Sequence, residues 1–410
     1  MALPVLRRLA AHRYAMVPSA PPPCRRAPSH NAGIRSSAGL RQASCNPPHV
    51  QIQLPRLARY PDQEPLVSMF ASSLSMRHRT LAVLGGLLVM ALVSFVACAA
   101  TGSVALPLTN LPATVAELLQ GAPPSLSASL VALRLSRGAI AFVTGASLAL
   151  SGVMMQALLR NPLADPYILG ISGGAAAGAL GTMLLASALW AVELGAFAGA
   201  LGVSLLLYLF ARRDLKAGTA QDGGGALLLL TGVILSSGCM ALVTLMLAVA
   251  PESQLRGMVF WMIGDLTATT LSWWPWLILT ATSIFALRVA RSINILALHA
   301  DTAVTLGVRV GTLRRSLFVC CSLLTASAVA SAGSIGFVGL IVTHACRFAF
   351  GPDHRLLLPA ATLAGGVFLV IADTLARTLA APQQLPVGVI TAFIGVPVFL
   401  LQLHRARRAQ

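Results

Sequence analysis

The sequence predicts an all-α membrane protein, a polytopic helical bundle of about ten transmembrane helices with both termini in the cytoplasm. Three observations predict it. Of 410 residues, 56% are apolar and only 10% are charged, against roughly 25% charged in a soluble domain; the mean hydropathy is +0.80. The apolar runs are continuous over about 20 residues, the length that crosses a ~30 Å hydrocarbon core at 1.5 Å per residue. Barrel strands would alternate over about ten residues instead. Finally, the basic residues gather in alternate loops, as they do in cytoplasmic loops of membrane proteins. The net charge of +17 is therefore read as a positive-inside excess, and no nucleic-acid partner is expected.

Residues 1–76 stand apart. They are rich in Pro, Arg and Ser, hold no acidic residue before Asp62, and lack the apolar core of a signal peptide. This basic leader is read as disordered or as a misassigned start, with translation beginning at Met69 or Met76. Arg77, His78 and Arg79 then anchor the first span on the cytoplasmic side, and residues 77–410 form the membrane domain.

Ten spans follow, at about 81–100, 138–159, 167–188, 189–211, 226–250, 272–290, 314–333, 335–350, 356–376 and 386–403. The third and fourth are nearly continuous and need a tight turn near Ser187. The eighth is short, and Gly333, Gly336 and Gly339 predict a broken or re-entrant start, tolerated only where protein or water covers the backbone. With the N-terminus inside, sixteen basic residues of the membrane domain fall on the inner side; only Arg134, Arg137, Arg256 and Arg377 fall outside. That bias fixes the orientation and requires an even number of spans. Trp261, Trp273, Trp274 and Trp276 share one outer boundary, where amphipathic rings settle.

Small residues recur in the second span (Gly145, Ser147, Ser151, Gly152) and the third (Gly170, Gly174, Gly178, Gly181). Such faces let helix backbones approach closely, and packing within the chain is the expected use. The seven cysteines form no C-x-x-C and have no histidine at ligand spacing, so neither a metal site nor a disulfide framework is expected.

Four features carry chemical information. Arg134, Arg137 and Arg377 flank spans closely on the wrong side for the charge rule, so they either dock an acidic partner or snorkel to headgroups. Asp373 is the one carboxylate well inside a span and must face the bundle interior; Arg377, at i+4, is its expected ion-pair partner. The inner turn Arg160-Asn161-Pro162-Leu163-Ala164-Asp165-Pro166 is rigid, whereas Gly223-Gly224-Gly225 reads as a flexible loop. Last, 296–308 reads as a short amphipathic helix ended by Gly307, suited to a groove of a soluble partner or to the bilayer surface. No phosphate-binding loop and no clustered nucleophile, base or metal-ligand set is present, so no catalytic residue is assigned and the chain is not read as an enzyme. His299, His344 and His354 are isolated.

Several stretches resemble the permease subunits of bacterial binding-protein-dependent ABC importers for iron-siderophores, haem and vitamin B12. They are Leu133–Arg137, Gly145–Gly152, Gln156, Arg160–Pro166, Gly333–Leu340 with His344, Arg347 and Gly351–Arg355, then Ala372–Arg377 and Leu385–Val389. They occur in the family's order and cover roughly 77–410. The resemblance implies a homodimer of ten-span subunits in the bacterial inner membrane. Two ATPase subunits would bind inside, using ATP and Mg, and a periplasmic substrate-binding protein would dock outside; this chain itself would hold no cofactor. It also implies residue roles. Arg134, Arg137 and Arg377 would receive acidic residues of the binding protein. Leu296, Leu298, His299, Asp301, Leu306 and Gly307 would belong to the coupling helix that enters the ATPase. Asn161 and Leu163 would form an inner gate. Ser136 and Thr343 replace prolines common in the family, which removes the basis for a kink at either position. An ion-coupled secondary transporter is the rival reading, with Asp373 as its sole buried titratable candidate. The cargo is not legible.

Overall fold

The computed structural model describes residues 66–102, 111–120, 125–185, 188–216, 224–267, 271–298 and 300–408. All regular structure among them is helical. In chain order the helices are α1 (Leu66–Ala100), α2 (Leu111–Gln120), α3 (Leu126–Leu159), α4 (Ile171–Leu185), α5 (Leu189–Lys216), α6 (Gly224–Val249), α7 (Glu252–Ile263), α8 (Trp274–Leu298), α9 (Ala300–Thr305), α10 (Val310–Ala332), α11 (Val338–Phe350), α12 (His354–Thr378) and α13 (Val387–Arg408). A 3-10 turn over Pro166–Leu169 precedes α4.

Each of the ten predicted spans coincides with a helix. Seven are long and apolar enough to cross a membrane, and α4, the shorter α11 and the apolar part of α13 are not by length alone. α11 is short because the chain from Gly333 to Phe337 is irregular: Gly333 and Phe337 both take positive φ, at 70°. That is the broken start expected from the glycines. The turn near Ser187 lies outside the described residues.

α3, α10 and α12 form the centre, surrounded by protein along most of their length; α1 and α6 present most of theirs outward. The outward faces carry Leu88, Leu92, Leu230 and Leu245, which lipid solvates as well as a protein core does. Burial of apolar surface therefore cannot hold such helices together, and close packing must. Four glycine contacts provide it. A Cβ on Gly145 would strike the Gly365 carbonyl oxygen, and one on Gly152 would strike that of Gly339. Gly174 meets Gly199, and Gly178 meets Gly195. These weld α3 to α12 and α11, and α4 to α5, so the small-residue stripes are spent inside the chain.

Several expectations need correction. α3 starts at Leu126, twelve residues before the predicted span, so Arg134 and Arg137 lie within the helix rather than ahead of it. Its 34 residues make a rod of about 51 Å, which exceeds a ~30 Å hydrocarbon core by several turns. Gly224 and Gly225 open α6 and are not loop residues; Gly223 lies outside the described residues. The helix expected over 296–308 is shorter: Leu296 and Leu298 complete α8, and α9 covers only Ala300–Thr305. By contrast, Thr343 behaves as its replacement of a proline implies: it sits in an unbroken α11, its hydroxyl donating to the Gly339 carbonyl at 2.6 Å. Two short helices, α2 and α7, were not anticipated.

Candidate functional site

The outer ends of α3 and α12 meet α1 at a group of four charged side chains. The crossing of α3 and α12 at Gly145 and Gly365 is antiparallel by the chain order of their outer ends. Arg137 lies eight residues from the crossing on α3, and Asp373 eight residues from it on α12, about 12 Å toward the outside in each case. The glycine contact thus sets the register that brings the two side chains face to face.

Asp373 is fully buried. Its Oδ1 accepts from Arg137 Nε at 2.9 Å, with Arg137 Nη2 at 2.8 Å, and its Oδ2 lies 3.0 Å from Arg377 Nε. The i,i+4 pair expected from the sequence is present, but it is half of the arrangement: one carboxylate serves two guanidiniums from two helices. Each guanidinium is tied at a further edge. Arg137 Nη1 donates to Gln384 Oε1 at 2.8 Å, and Arg377 Nη2 donates to Cys98 Sγ at 3.1 Å and Thr374 Oγ1 at 3.3 Å.

Arg134 does different work. It is 7% exposed, and its Nη1 donates to the carbonyls of Ala99 at 3.0 Å and Ala100 at 3.3 Å. Those are the last carbonyls of α1, which have no partner within the helix, and a cation there also opposes the helix dipole. The Cys98 thiol in turn donates to the Arg134 carbonyl at 3.4 Å. The guanidinium fills the space over Gly102, where any Cβ would meet its Cζ at 2.7 Å. Arg134 therefore caps α1 and locks it to α3.

All three arginines line one outer cavity of about 350 Å³, together with Gly102, Ser136 and Gln384 among others. Asp373 sits behind the guanidiniums and does not line it. Three positive charges face one negative charge, so the cavity carries net positive charge. Snorkelling, the alternative reading from sequence, does not describe side chains drawn inward onto a buried carboxylate and helix-end carbonyls.

A second outer cavity, of about 500 Å³, lies under α7 and includes Glu193, Arg256, Phe260, Trp261 and Asp265. Arg256 stacks over the Phe260 ring at 5.4 Å. Met258 is the one buried residue of α7.

The inner end holds the remaining sequence-predicted residues. Asn161 Oδ1 accepts from the Leu163 N–H at 2.9 Å, an Asx turn that presents Leu163 to the outside of the fold at 43% exposure. Asp165 Oδ1 caps the following turn by accepting from the Tyr167 N–H at 2.8 Å. Burial pushes the Asp165 carboxyl up to about 6, partly offset by that bond. Leu306 is exposed and Gly307 ends the α9 region at φ +79°. Asp301 opens α9 by position, His299 lies outside the described residues, and the side chains of Leu298 and Asp301 are likewise outside them.

Two inner polar clusters were missed. Gln156 Nε2 donates to Thr343 Oγ1 at 2.8 Å while its Oε1 accepts from Arg347 Nη2 at 2.8 Å, which joins α3 to α11. Asn294 Nδ2 donates to Asp353 Oδ1 at 2.7 Å, and Asn294 Oδ1 accepts from the His354 N–H at 2.9 Å, which joins α8 to the start of α12. Burial works against the Asp353 charge, yet the bonds from the Arg355 N–H and Asn294, with the Arg355 and His354 charges, hold its carboxyl below the usual range. Gln156, Arg347, Asp353 and His354 stood in the recognised motifs, but their partners are 59 to 191 residues away and leave no local signal. Among the described residues no group of three or more His, Cys, Asp or Glu is placed to hold a metal.

Comparison with known proteins gives a consistent result. The family model for the FecCD transport family matches residues 75–405. The chain is 41% identical over 298 residues to the cobalamin import system permease protein BtuC of Halobacterium salinarum, covering 71% of this chain and 78% of that one. It is 39% identical over 282 residues to the vitamin B12 import system permease protein BtuC of Citrobacter koseri, covering 67% and 83%. It is also 37% identical over 281 residues to the ABC transporter permease protein YvrB of Bacillus subtilis, whose function is uncharacterized, covering 67% and 78%. Among solved structures, an inward-facing transporter assigned to the metal-chelate ABC type superposes with a TM-score of 0.67 at 29% identity, covering 79% of this chain and 99% of that one.

Proposed function

The chain belongs to the FecCD transport family and is a multi-pass permease of an ABC importer; from that premise we propose that it carries cobalamin across the bacterial inner membrane as one half of a homodimer. Named relatives that import cobalamin or vitamin B12 support this cargo over a siderophore or haem. A periplasmic binding protein delivers the cargo, and two ATPase subunits, using ATP and Mg, drive the cycle from the cytoplasm. The permease contributes no bond-breaking chemistry. It supplies two arrangements of one pathway, and its partners bias which is populated.

The observation that carries the reading is the cavity where Arg134, Arg137 and Arg377 converge with a net positive charge. Charge of one sign in a concave outer site steers and orients an acidic partner. Arg137 and Arg377 are the contact residues and Arg134 secures the wall. At the inner face, the exposed Leu306 after α9 enters the ATPase, and Asn161 with Leu163 narrows the inner mouth. Asp373 stays ion-paired throughout, and among the described residues it is not joined to a chain of buried acids or histidines that would conduct protons.

The test is uptake of labelled cyanocobalamin and of ferric siderophores by cells with and without the gene, coupled to affinity purification. Loss of cobalamin uptake, with an ATPase retained in detergent, is the expected result. Loss of ferric-chelate uptake alone would reassign the cargo. Transport that persists without any ATPase subunit would replace the proposal with an ion-coupled secondary transporter.

A further inference from the structure

Binding sites that recognise a charged partner usually carry their charge on exposed, flexible side chains. Here the guanidiniums of Arg137 and Arg377 are almost buried, with side-chain exposures of 12% and 7%. Two buried like charges repel, and each long side chain would otherwise sample many rotamers. What holds both is the single carboxylate behind them, which gives one oxygen to each.

We propose that Asp373 is a positioning residue for partner docking: it acts through Arg137 and Arg377 and never touches the partner. This rests on the docking reading of those arginines. The carboxylate is fully buried and absent from the cavity wall, so no incoming group reaches it. It engages Nε of both arginines. Together with Arg137 Nη2 at 2.8 Å, these contacts hold both guanidiniums by their inner edges, while Arg137 Nη1 reaches Gln384 on the cavity wall. The planar fork is suited to a carboxylate only when its plane is set in advance. Gln384 Oε1 restrains Arg137 from the cavity side, through Nη1. The pair is thus a preformed two-pronged receptor for carboxylates of a protein partner, and no ordering cost falls on the encounter.

Positioning and mere charge neutralisation predict different kinetics. Removing the negative charge raises the net positive charge of the cavity, so electrostatic steering does not weaken. If Asp373 only neutralises the arginines for folding, a variant that reaches the membrane binds its partner normally. If it positions them, the complex forms as fast or faster but falls apart sooner.

The experiment uses the full permease–ATPase complex in lipid nanodiscs. The probe is the cobalamin-binding protein of the same cell, isolated on immobilised cyanocobalamin, or on the ferric chelate should uptake identify that cargo. Association and dissociation rates are measured for wild type, Asp373→Asn, Asp373→Glu and Gln384→Ala. Asp373→Asn is expected to dissociate roughly tenfold faster with association not slowed and basal ATP hydrolysis retained, and Asp373→Glu to recover part of the loss. Dissociation within about twofold of wild type overturns the proposal, as does a joint loss of association, dissociation and basal hydrolysis. Should Asp373→Asn fail to accumulate, Gln384→Ala decides: Gln384 is exposed, and about threefold faster dissociation is expected, whereas an unchanged rate overturns. Arg137→Gln and Arg377→Gln separate the two levels. If both bind like wild type, the docking reading itself is wrong; if both weaken binding while the Asp373 and Gln384 variants do not, positioning alone is wrong.

Discussion

Replacing Gly145 with alanine adds one methyl group at the closest approach of α3 and α12. The new Cβ would meet the Gly365 carbonyl oxygen well inside contact distance, and Leu369 Cβ at 2.7 Å. Ordinary contact begins at 3.4 Å, so the helices must separate by at least about 0.7 Å. Neither obstacle is the far end of a flexible side chain, and relief must come from the backbone. Overpacking of this kind costs about 1–3 kcal/mol, a fall in midpoint of roughly 1.5–4 °C in thermal unfolding of the purified protein. The same displacement acts about 12 Å away, where Arg137 Nη2 and Asp373 Oδ1 are 2.8 Å apart, so partner-stimulated ATP hydrolysis should fall as well. Gly202→Ala is the control, since nothing lies within 4 Å of its added Cβ; it should be neutral or slightly stabilising. A Gly145→Ala protein that melts within about 1 °C of wild type would refute the reasoning that this crossing sets the register.

Three further outcomes are expected. Arg134→Ala strips charge-assisted bonds from the last carbonyls of α1 and should cost about 1–2 kcal/mol, read locally as faster amide exchange near residues 97–101. Leu306→Glu puts a charge on the exposed apolar residue after α9; uptake should fall while membrane insertion persists, and normal uptake would remove this segment from the ATPase contact. The Asp165 carboxyl, raised to about 6 in the fold, titrates near 4 in an unfolded chain, so the folded form favours its protonated state. Its stabilising contribution is complete below about pH 4 and is lost as pH rises through 6, at most about 3 kcal/mol; Asp165→Asn, which keeps the acceptor for Tyr167, should flatten that part of the pH–stability curve.

The helices were legible because continuous apolar length is a strong signal and because arginine placement gives direction. What escaped was polar or distant. The first three turns of α3 were missed because Arg134, Ser136 and Arg137 interrupt the apolar run, although all three are helical, with Arg134 buried and Ser136 and Arg137 half-buried. Short α2 and α7 contain Glu117, Glu252 and Arg256 and do not read as spans. Asp373 and Arg377 could be paired from their spacing alone, one turn apart on one helix. Arg137 could not, since it lies 236 residues from Asp373 and joins it through a glycine contact between two helices. For the same reason the sequence suggested three equivalent arginines, whereas the structure separates a helix cap from a carboxylate-held pair. The segment at 296–308 was misdivided because apolar periodicity continues from α8 across the break into α9.

α11 has 13 residues, about 20 Å of helix, too little to cross the ~30 Å hydrocarbon core alone. During synthesis it should not be recognised as a membrane segment by itself. It must enter together with α12 as a hairpin closed by Gly351, Pro352 and Asp353, with the Ile335 N–H finding its acceptor, the Tyr167 hydroxyl, only after that earlier turn is in place. Biogenesis of the last third of the chain therefore depends on a turn laid down in its first half. Chains truncated after Phe350 should leave α11 outside the bilayer in a glycosylation-mapping assay, and chains that extend past Thr378 should bury it.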